Sequence, residues 1–320
     1  MLNRHRLRVR ALEILYSLVS IESEKEELYE KQLRYSLEKL YDLYLLLLNL
    51  LVDFHHESLL EREDARKKFL ATKLDLLPET ALTRNIVLRK ISESAEFINL
   101  CQRRGVNWSK HPEVPMRFFR NVKSTSVYTE YIESDKNSGK TDKAFILKMV
   151  EEVLLPDSNF ISILEDWNIF WGNDIPTALG MFTRTIENIK VHGPLELIPE
   201  LLPGDEDYDF ALNLGIIAIR KKDIFEKYLF RLLKNWEPDR VSPIDMVLLR
   251  LGASELHAFP TIPINVTINE YIEISKEFST SKSTVFLNGI LDNMARIMLN
   301  EGMIKKTGRG LVQNPDKILN

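Results

Sequence analysis

The sequence predicts an all-α protein, and three observations carry that expectation. Only 12 glycines and 13 prolines occur in 320 residues, so the backbone seldom needs positive φ or tight hairpins, which argues against sandwiches, barrels and Gly-loop nucleotide folds. Long stretches are rich in Leu, Ile, Glu and Lys. Their apolar residues recur at helical spacing. At 44% hydrophobic and 28% charged, the chain holds enough apolar material for one large domain or two ordinary ones.

Residues 4–20 begin the series, with Leu7, Ala11, Ile14, Leu15 and Leu18 on one helix face. Glu22, Glu24, Glu26, Glu27 and Glu30 place negative charge at the start of a second helix running to about His56. Within it lies the longest apolar run, Leu43 to Val52. It is far shorter than the roughly 20 residues that span a bilayer, so it reads as a buried core helix. Helical patterns continue at 60–76 and 79–103. The segment RRGVNWSKHPEVP (103–115) and the polar stretch IESDKNSGKT (132–141) break the periodicity. Patterns resume at 142–155, 158–170 and 176–191, and PGDEDYD at 203–209 marks a module edge.

Ser242 and Pro243 followed by Asp245 look like an N-cap, a first-turn proline and an acidic capping partner, opening a helix over 243–257. Pro260 and Pro263 end it and open another over 264–278, and STSKST leads into a last helix over 283–301. Trp236 reads as a core anchor beneath the 241–257 helix, and the chain beyond 302 as a flexible tail. At an offset of 65 residues, Asp142/Asp207, Phe145/Phe210, Leu147/Leu212, Phe160/Phe225, Leu164/Leu229, Trp171/Trp236, Asp174/Asp239 and Met181/Met246 coincide. Either a duplicated helical unit or two similar amphipathic helix pairs accounts for this.

Catalytic and cofactor signatures find no support. Gly139-Lys140-Thr141 resembles the end of a phosphate loop, but Ser134 stands where the motif needs its first glycine. No histidines share metal-ligand spacing, so no metal is expected. There is no nucleophile elbow or dinucleotide fingerprint. A single cysteine, Cys101, rules out an internal disulfide and fits a reducing, cytoplasmic setting. The expectation is a protein without enzymatic activity or cofactor, and one that does not enter a membrane.

The net charge is −4, so any nucleic-acid binding needs a local patch. One lies at the start: Arg4, His5, Arg6, Arg8 and Arg10 occur with no acid among them. On a helix Arg4 and Arg8 share a face and Arg6 and Arg10 an adjoining one, an arrangement suited to a phosphate backbone. Tyr16, two turns beyond Arg8, could stack on a base of single-stranded RNA. A solvated N-terminus whose arginines confer solubility has the same charge pattern.

Particular segments resemble the transcription antitermination factor NusB family. RHRLRVRALEILYSL looks like that family's arginine-rich first helix. NWEPDRVSPIDMVLLRLGASEL, IPINVTINEYIEISKEFS and STVFLNGILDNMAR are similar, in order and spacing, to its three closing helices. I-N-E-x-x-E-x-x-K followed by F-x-N-G-x-L-D is the most specific part. The resemblance implies a NusB-like helical bundle with additional helices inserted after the first helix. Its RNA-binding domain would comprise 1–20 and 205–302, and 21–204 would be a helical insertion containing a possible partial repeat of the C-terminal half.

The same resemblance implies a bacterial factor that binds boxA-like RNA of ribosomal transcripts together with a NusE-type small-subunit ribosomal protein and joins the transcription elongation complex. Carried over by position, Arg4, His5, Arg6, Arg8, Tyr16 and Phe286 fall on RNA-contacting positions, and Asp245 falls near the protein-partner surface. Lys282, also expected to bind RNA, stands where the family often has an acid, which strengthens phosphate attraction or alters partner choice, and Asn265 stands where a lysine is frequent, which weakens one phosphate contact. Phe286 also fits a core position four residues before Ile290, and Asn269, Glu270, Asn288 and Asp292 fit structural capping roles. Arg250 and Glu255, five apart, face differently and do not pair. Two further readings stay open: an RNA-recruiting helical partner of an rRNA-modifying enzyme, and a helical scaffold whose insertion binds other proteins.

Overall fold

The computed structural model describes residues 3–67, 80–133, 138–233 and 241–311, and among them the chain forms fifteen α-helices and no strand. It divides into two compact units, Met1–Tyr35 with Leu201–Asn320, and Ser36–Glu200. The boundary at Tyr35 falls inside the long helix α2 (Glu26–Arg66).

The unit containing both chain ends is built from α1 (Arg4–Ser20), the start of α2, α11 (Glu206–Arg220), α12 (Lys222–Leu232), α13 (Pro243–Ala258), α14 (Ile264–Phe278) and α15 (Ser281–Asn300). Its centre is α13. The capping expected from Ser242 is present, its hydroxyl accepting from the Asp245 N–H, and Pro243 occupies the first turn, where no N–H is needed. From Val247 to Leu256 every residue of α13 is buried. A helix apolar nearly all round must be packed on all sides, and α1, α11, α14 and α15 supply that packing.

Two glycines admit close neighbours. At Gly215 on α11, an added methyl would fall inside the ring of Tyr29, whose hydroxyl donates to the Ala211 carbonyl at 2.9 Å. Gly252 on α13 lies beneath Leu291 of α15.

The second unit comprises the rest of α2, then α3 (Ala81–Arg84), α4 (Ile86–Ser92), α5 (Ala95–Arg104), α6 (Glu113–Lys123), α7 (Ser126–Glu133), α8 (Gly139–Met149) with a π turn over Val150–Leu154, α9 (Ser158–Trp167) and α10 (Trp171–Asn188). Helix α2 is long and apolar enough to cross a membrane by length and composition, but 61% of its apolar window is buried inside the protein. Leu43 through Leu48, Leu50 and Leu51 are all buried, as expected of a core helix.

Several boundaries differ from the sequence expectation. The pattern over 60–76 continues α2 to Arg66, and 68–79 lies outside the described residues. The stretch 79–103 is three helices, because Asn85 and Ser94 turn their side chains onto following N–H groups and restart the helix. Helix α6 begins at Glu113, before Pro115, since a first-turn proline forfeits no hydrogen bond. Gly139-Lys140-Thr141 is the first turn of α8, closed by a capping box between Ser138 and Thr141.

The expected loose tail does not hold over 303–311. Ile304 is buried, Lys306 donates to the Phe259 carbonyl at 3.0 Å and the Thr307 N–H to the Pro260 carbonyl at 3.0 Å. Residues 312–320 lie outside the described residues, as does Trp236.

At the offset of 65, α9 and α12 start within one residue of each other. Asp142/Asp207, Phe145/Phe210, Phe160/Phe225 and Leu164/Leu229 are buried in both copies. The second members of Trp171/Trp236 and Asp174/Asp239 fall outside the described residues. Each unit thus contains a helix pair with these buried positions in common, α9 and α12 being of similar length, 10 and 11 residues, and α8 and α11 differing, 11 and 15.

Candidate nucleic-acid interface

The basic run forms the first two turns of α1, started by Asn3, whose side chain accepts from the His5 N–H at 3.1 Å. The sequence shows no acid among these residues, yet the fold brings acids to each of Arg4, His5, Arg6 and Arg8. Arg4 pairs with Glu206 and, at 3.5 Å, with Asp207 on α11. His5 Nδ1 lies 3.0 Å from Glu270, and Arg6 lies 3.4 Å from Glu277, both acids on α14. The Arg4 and Arg6 side chains remain about a third exposed. Ion pairs of this kind contribute little, at most about 1 kcal/mol, so a phosphate could displace them.

Arg8 has a different environment from that of a surface phosphate ligand. Its side chain is 4% exposed and grips Glu255, itself fully buried, through Nε at 2.7 Å and a second nitrogen at 2.8 Å. The remaining nitrogen reaches Glu270 at 3.2 Å. Glu255 also accepts from Thr267 at 2.9 Å and Tyr271 at 3.4 Å. Burial works to strip the Arg8 proton, but the bonds and charge of Glu255 outweigh it and hold the guanidinium above its ordinary value. Beneath, the Arg4 and Arg8 guanidinium carbons lie 5.1 and 5.2 Å from the centre of the Phe210 ring. Arg10 is buried and bonded to Glu13 at 2.8 Å.

Tyr16 is exposed on α1, where Arg8 is buried, and lies about 12 Å along the helix from it. Lys282 is exposed in the first turn of α15, and Phe286, one turn on, is half-buried. Val285 beside it is 76% exposed. Asn265 is exposed in the first turn of α14. Asp245 is enclosed by its own chain: 4% exposed, it accepts from Ser279 and Ser283, each at 2.8 Å, tying the start of α13 to the α14–α15 junction.

Arg250 and Glu255 do not pair with each other, as expected. Arg250 meets Glu24 at 2.5 Å, and Glu24 also binds Lys222 at 2.6 Å. Glu270 proves to be a partner of His5 and Arg8, and Asp292 pairs with Arg296 at 2.9 Å. Sequence reasoning missed Glu255 as the anchor of Arg8. The available signal was a glutamate inside the apolar run MVLLRLGASEL, since a charge buried in such a helix needs a counter-charge.

These features define an all-helical protein whose first helix presents a basic turn at the edge of a bundle centred on a buried α13. The model of the NusB family matches residues 195–296. The chain is 36% identical over 114 residues to the transcription antitermination protein NusB of Salinibacter ruber, covering 35% of this chain and 71% of that protein. It is 37% identical over 101 residues to the protein of the same name from Bacillus licheniformis, covering 32% and 78%. The corresponding figures for Chloroherpeton thalassium are 36% over 122 residues, 38% and 58%. The chain belongs to the NusB family. No solved structure matches it.

Proposed function

We propose that this protein is a bacterial transcription antitermination factor that binds single-stranded, boxA-like RNA of ribosomal transcripts, in company with a NusE-type ribosomal protein and the elongation complex. The observation that carries this reading is the family match over 195–296, to which the fold adds the basic first turn of α1. Arg4, His5 and Arg6 serve as phosphate ligands, exchanging their glutamate partners for the RNA backbone. Phosphate contacts of this kind supply salt-dependent affinity with little sequence preference. Tyr16, Phe286 and Lys282 add stacking and charge, and stacking on exposed bases is how single strands are commonly held. Arg8 acts as a positioning residue that holds the basic turn in place through Glu255. Asp245 acts on partner binding indirectly, by fixing the α14–α15 junction.

The test is fluorescence anisotropy of a labelled boxA-like RNA against a scrambled strand, with and without the NusE-type protein, at two salt concentrations. Tighter, partner-enhanced binding to the boxA-like strand is expected. Arg4→Ala with Arg6→Ala should weaken binding and reduce the salt slope by about two, one for each phosphate that is no longer neutralised. Equal binding of both strands, or an unchanged salt slope in the double variant, would refute the reading.

A further inference from the structure

Outside the region matched by the family, the second unit contains a cleft of about 510 Å³ between α2, α5 and the chain over 106–116. That volume lies within the range of small-molecule sites. Helix α2 is otherwise packed in the core here, with Leu43 to Leu48, Leu50, Leu51 and Phe54 buried. Against that background Asn49, Asp53 and Glu57 recur every fourth residue and so line one stripe, all three facing the cleft. Ile98 of α5, Trp108, Pro115 and Met116 contribute to an opposite side that is mainly apolar.

The cleft is held open by its own framework. The Trp108 indole N–H donates to the Leu46 carbonyl at 3.2 Å, and its ring contacts those of Phe160 and Trp167. The chain turns from α5 into this wall at Gly105, whose φ of 67° suits glycine, and the Val106 N–H returns to the Cys101 carbonyl at 2.9 Å. Asp53 and Glu57 are only partly exposed, and among the described residues neither has a hydrogen bond or an ion pair. Burial holds the Asp53 carboxyl above its usual range, His56 partly offsets this and Glu57 adds to it. His56 also lines the cleft, and among the described residues no lysine or arginine pairs with either carboxylate.

That charge disfavours an anion. A metal ion would lack ligands, since no group of three or more His, Cys, Asp or Glu residues is placed to hold one among the described residues. Cys101 lines the floor, but burial pushes its thiol up to about 12, so it offers no thiolate for covalent chemistry at neutral pH.

We propose that this cleft binds an organic cation with an apolar body, its amine or guanidinium meeting Asp53 and Glu57 and its hydrocarbon part lying on Ile98, Pro115 and Met116. The cation pairs with the two carboxylates in a partly dehydrated setting, and the apolar wall removes the ligand's body from water. A free amine and the side chain of a basic peptide share this chemistry.

The full-length protein is titrated by isothermal calorimetry with 2-phenylethylamine, with 2-phenylethanol as its neutral counterpart, and with the peptides acetyl-Phe-Arg-amide and acetyl-Phe-Gln-amide. The cationic member of each pair should bind at least tenfold more tightly than the neutral one. Tighter binding by the amine identifies a free small molecule as the source, and tighter binding by the arginine peptide identifies a protein segment. Asp53→Asn with Glu57→Gln should abolish the preference for the cation while far-UV circular dichroism is unchanged. Met116→Trp, which adds bulk on the apolar side and leaves both carboxylates in place, should weaken both cations at least fivefold. Equal binding of charged and neutral probes, no saturable binding at millimolar concentration, or binding unaffected by both variants would overturn the proposal.

Discussion

Replacing Arg8 by Met separates a structural arginine from a phosphate-binding one. The change leaves Glu255 fully buried, with Thr267 and Tyr271 as its remaining donors. Two unit charges about 4 Å apart interact by about 4 kcal/mol at an effective dielectric of about 20. Breaking a buried pair by removing one partner costs about 3–5 kcal/mol in practice, because an uncompensated charge stays behind. Arg8→Met should therefore lower the urea midpoint, followed by far-UV circular dichroism, by about 1–2 M for a slope of about 2–3 kcal/mol per M. Amide protection should fall in the peptides from α1 and α14. The double variant Arg8→Met with Glu255→Gln removes the stranded charge but keeps an acceptor for Thr267 and Tyr271, and should regain at least about 2 kcal/mol. A loss below about 1 kcal/mol, or a double variant no more stable than the single one, would refute the reasoning. So would a folded Arg8→Met protein whose RNA salt slope falls by one unit, since Arg8 would then be neutralising a phosphate itself.

Other consequences can be checked separately. Gly215→Ala forces a methyl into the buried Tyr29 ring and should destabilise by about 3 kcal/mol or more, at the upper end for overpacked cores; a midpoint within experimental error of the parent would show that α11 and α2 can separate freely. Glu277→Gln frees Arg6 and removes a repulsive carboxylate from the approach of a phosphate. RNA affinity should rise about two- to fivefold at low salt, with the gain fading at high salt as exposed charges are screened, and anisotropy at two ionic strengths would read both. Burial pushes the Lys306 ammonium down to about 8 from 10.5. Between those values the unfolded chain holds a proton that the folded one has released, so stability due to this group rises with pH across that window. Parent and Lys306→Met denaturation midpoints should diverge in the parent's favour from pH 7.5 to 10, and parallel profiles would contradict the shift.

Much of the architecture is legible without the fold. Helix periodicity, the Ser242–Pro243 start of α13 and the all-apolar face of α2 are local signals, written in residues three or four apart, and they are honoured in α1, α2, α13, α14 and α15. Boundaries were less legible where one side chain decides them. Asn85 and Ser94 split the pattern over 79–103 because an Asn or Ser can cap a new helix as readily as it can sit on the flank of a continuing one.

The candidate site divides along the same line. The amino-acid sequence by itself determined that the protein is helical, that its first turns are basic and that its closing helices resemble one family. Only the tertiary structure decided what that basic charge faces. Arg8 meets Glu255, 247 residues away, and Arg6 meets Glu277, 271 residues away, so a run with a strong positive charge in the sequence lies among carboxylates in the fold. Helix formation depends on neighbours along the chain and can be read from spacing. Burial and counter-charge depend on which distant helices pack together, and no local pattern records that.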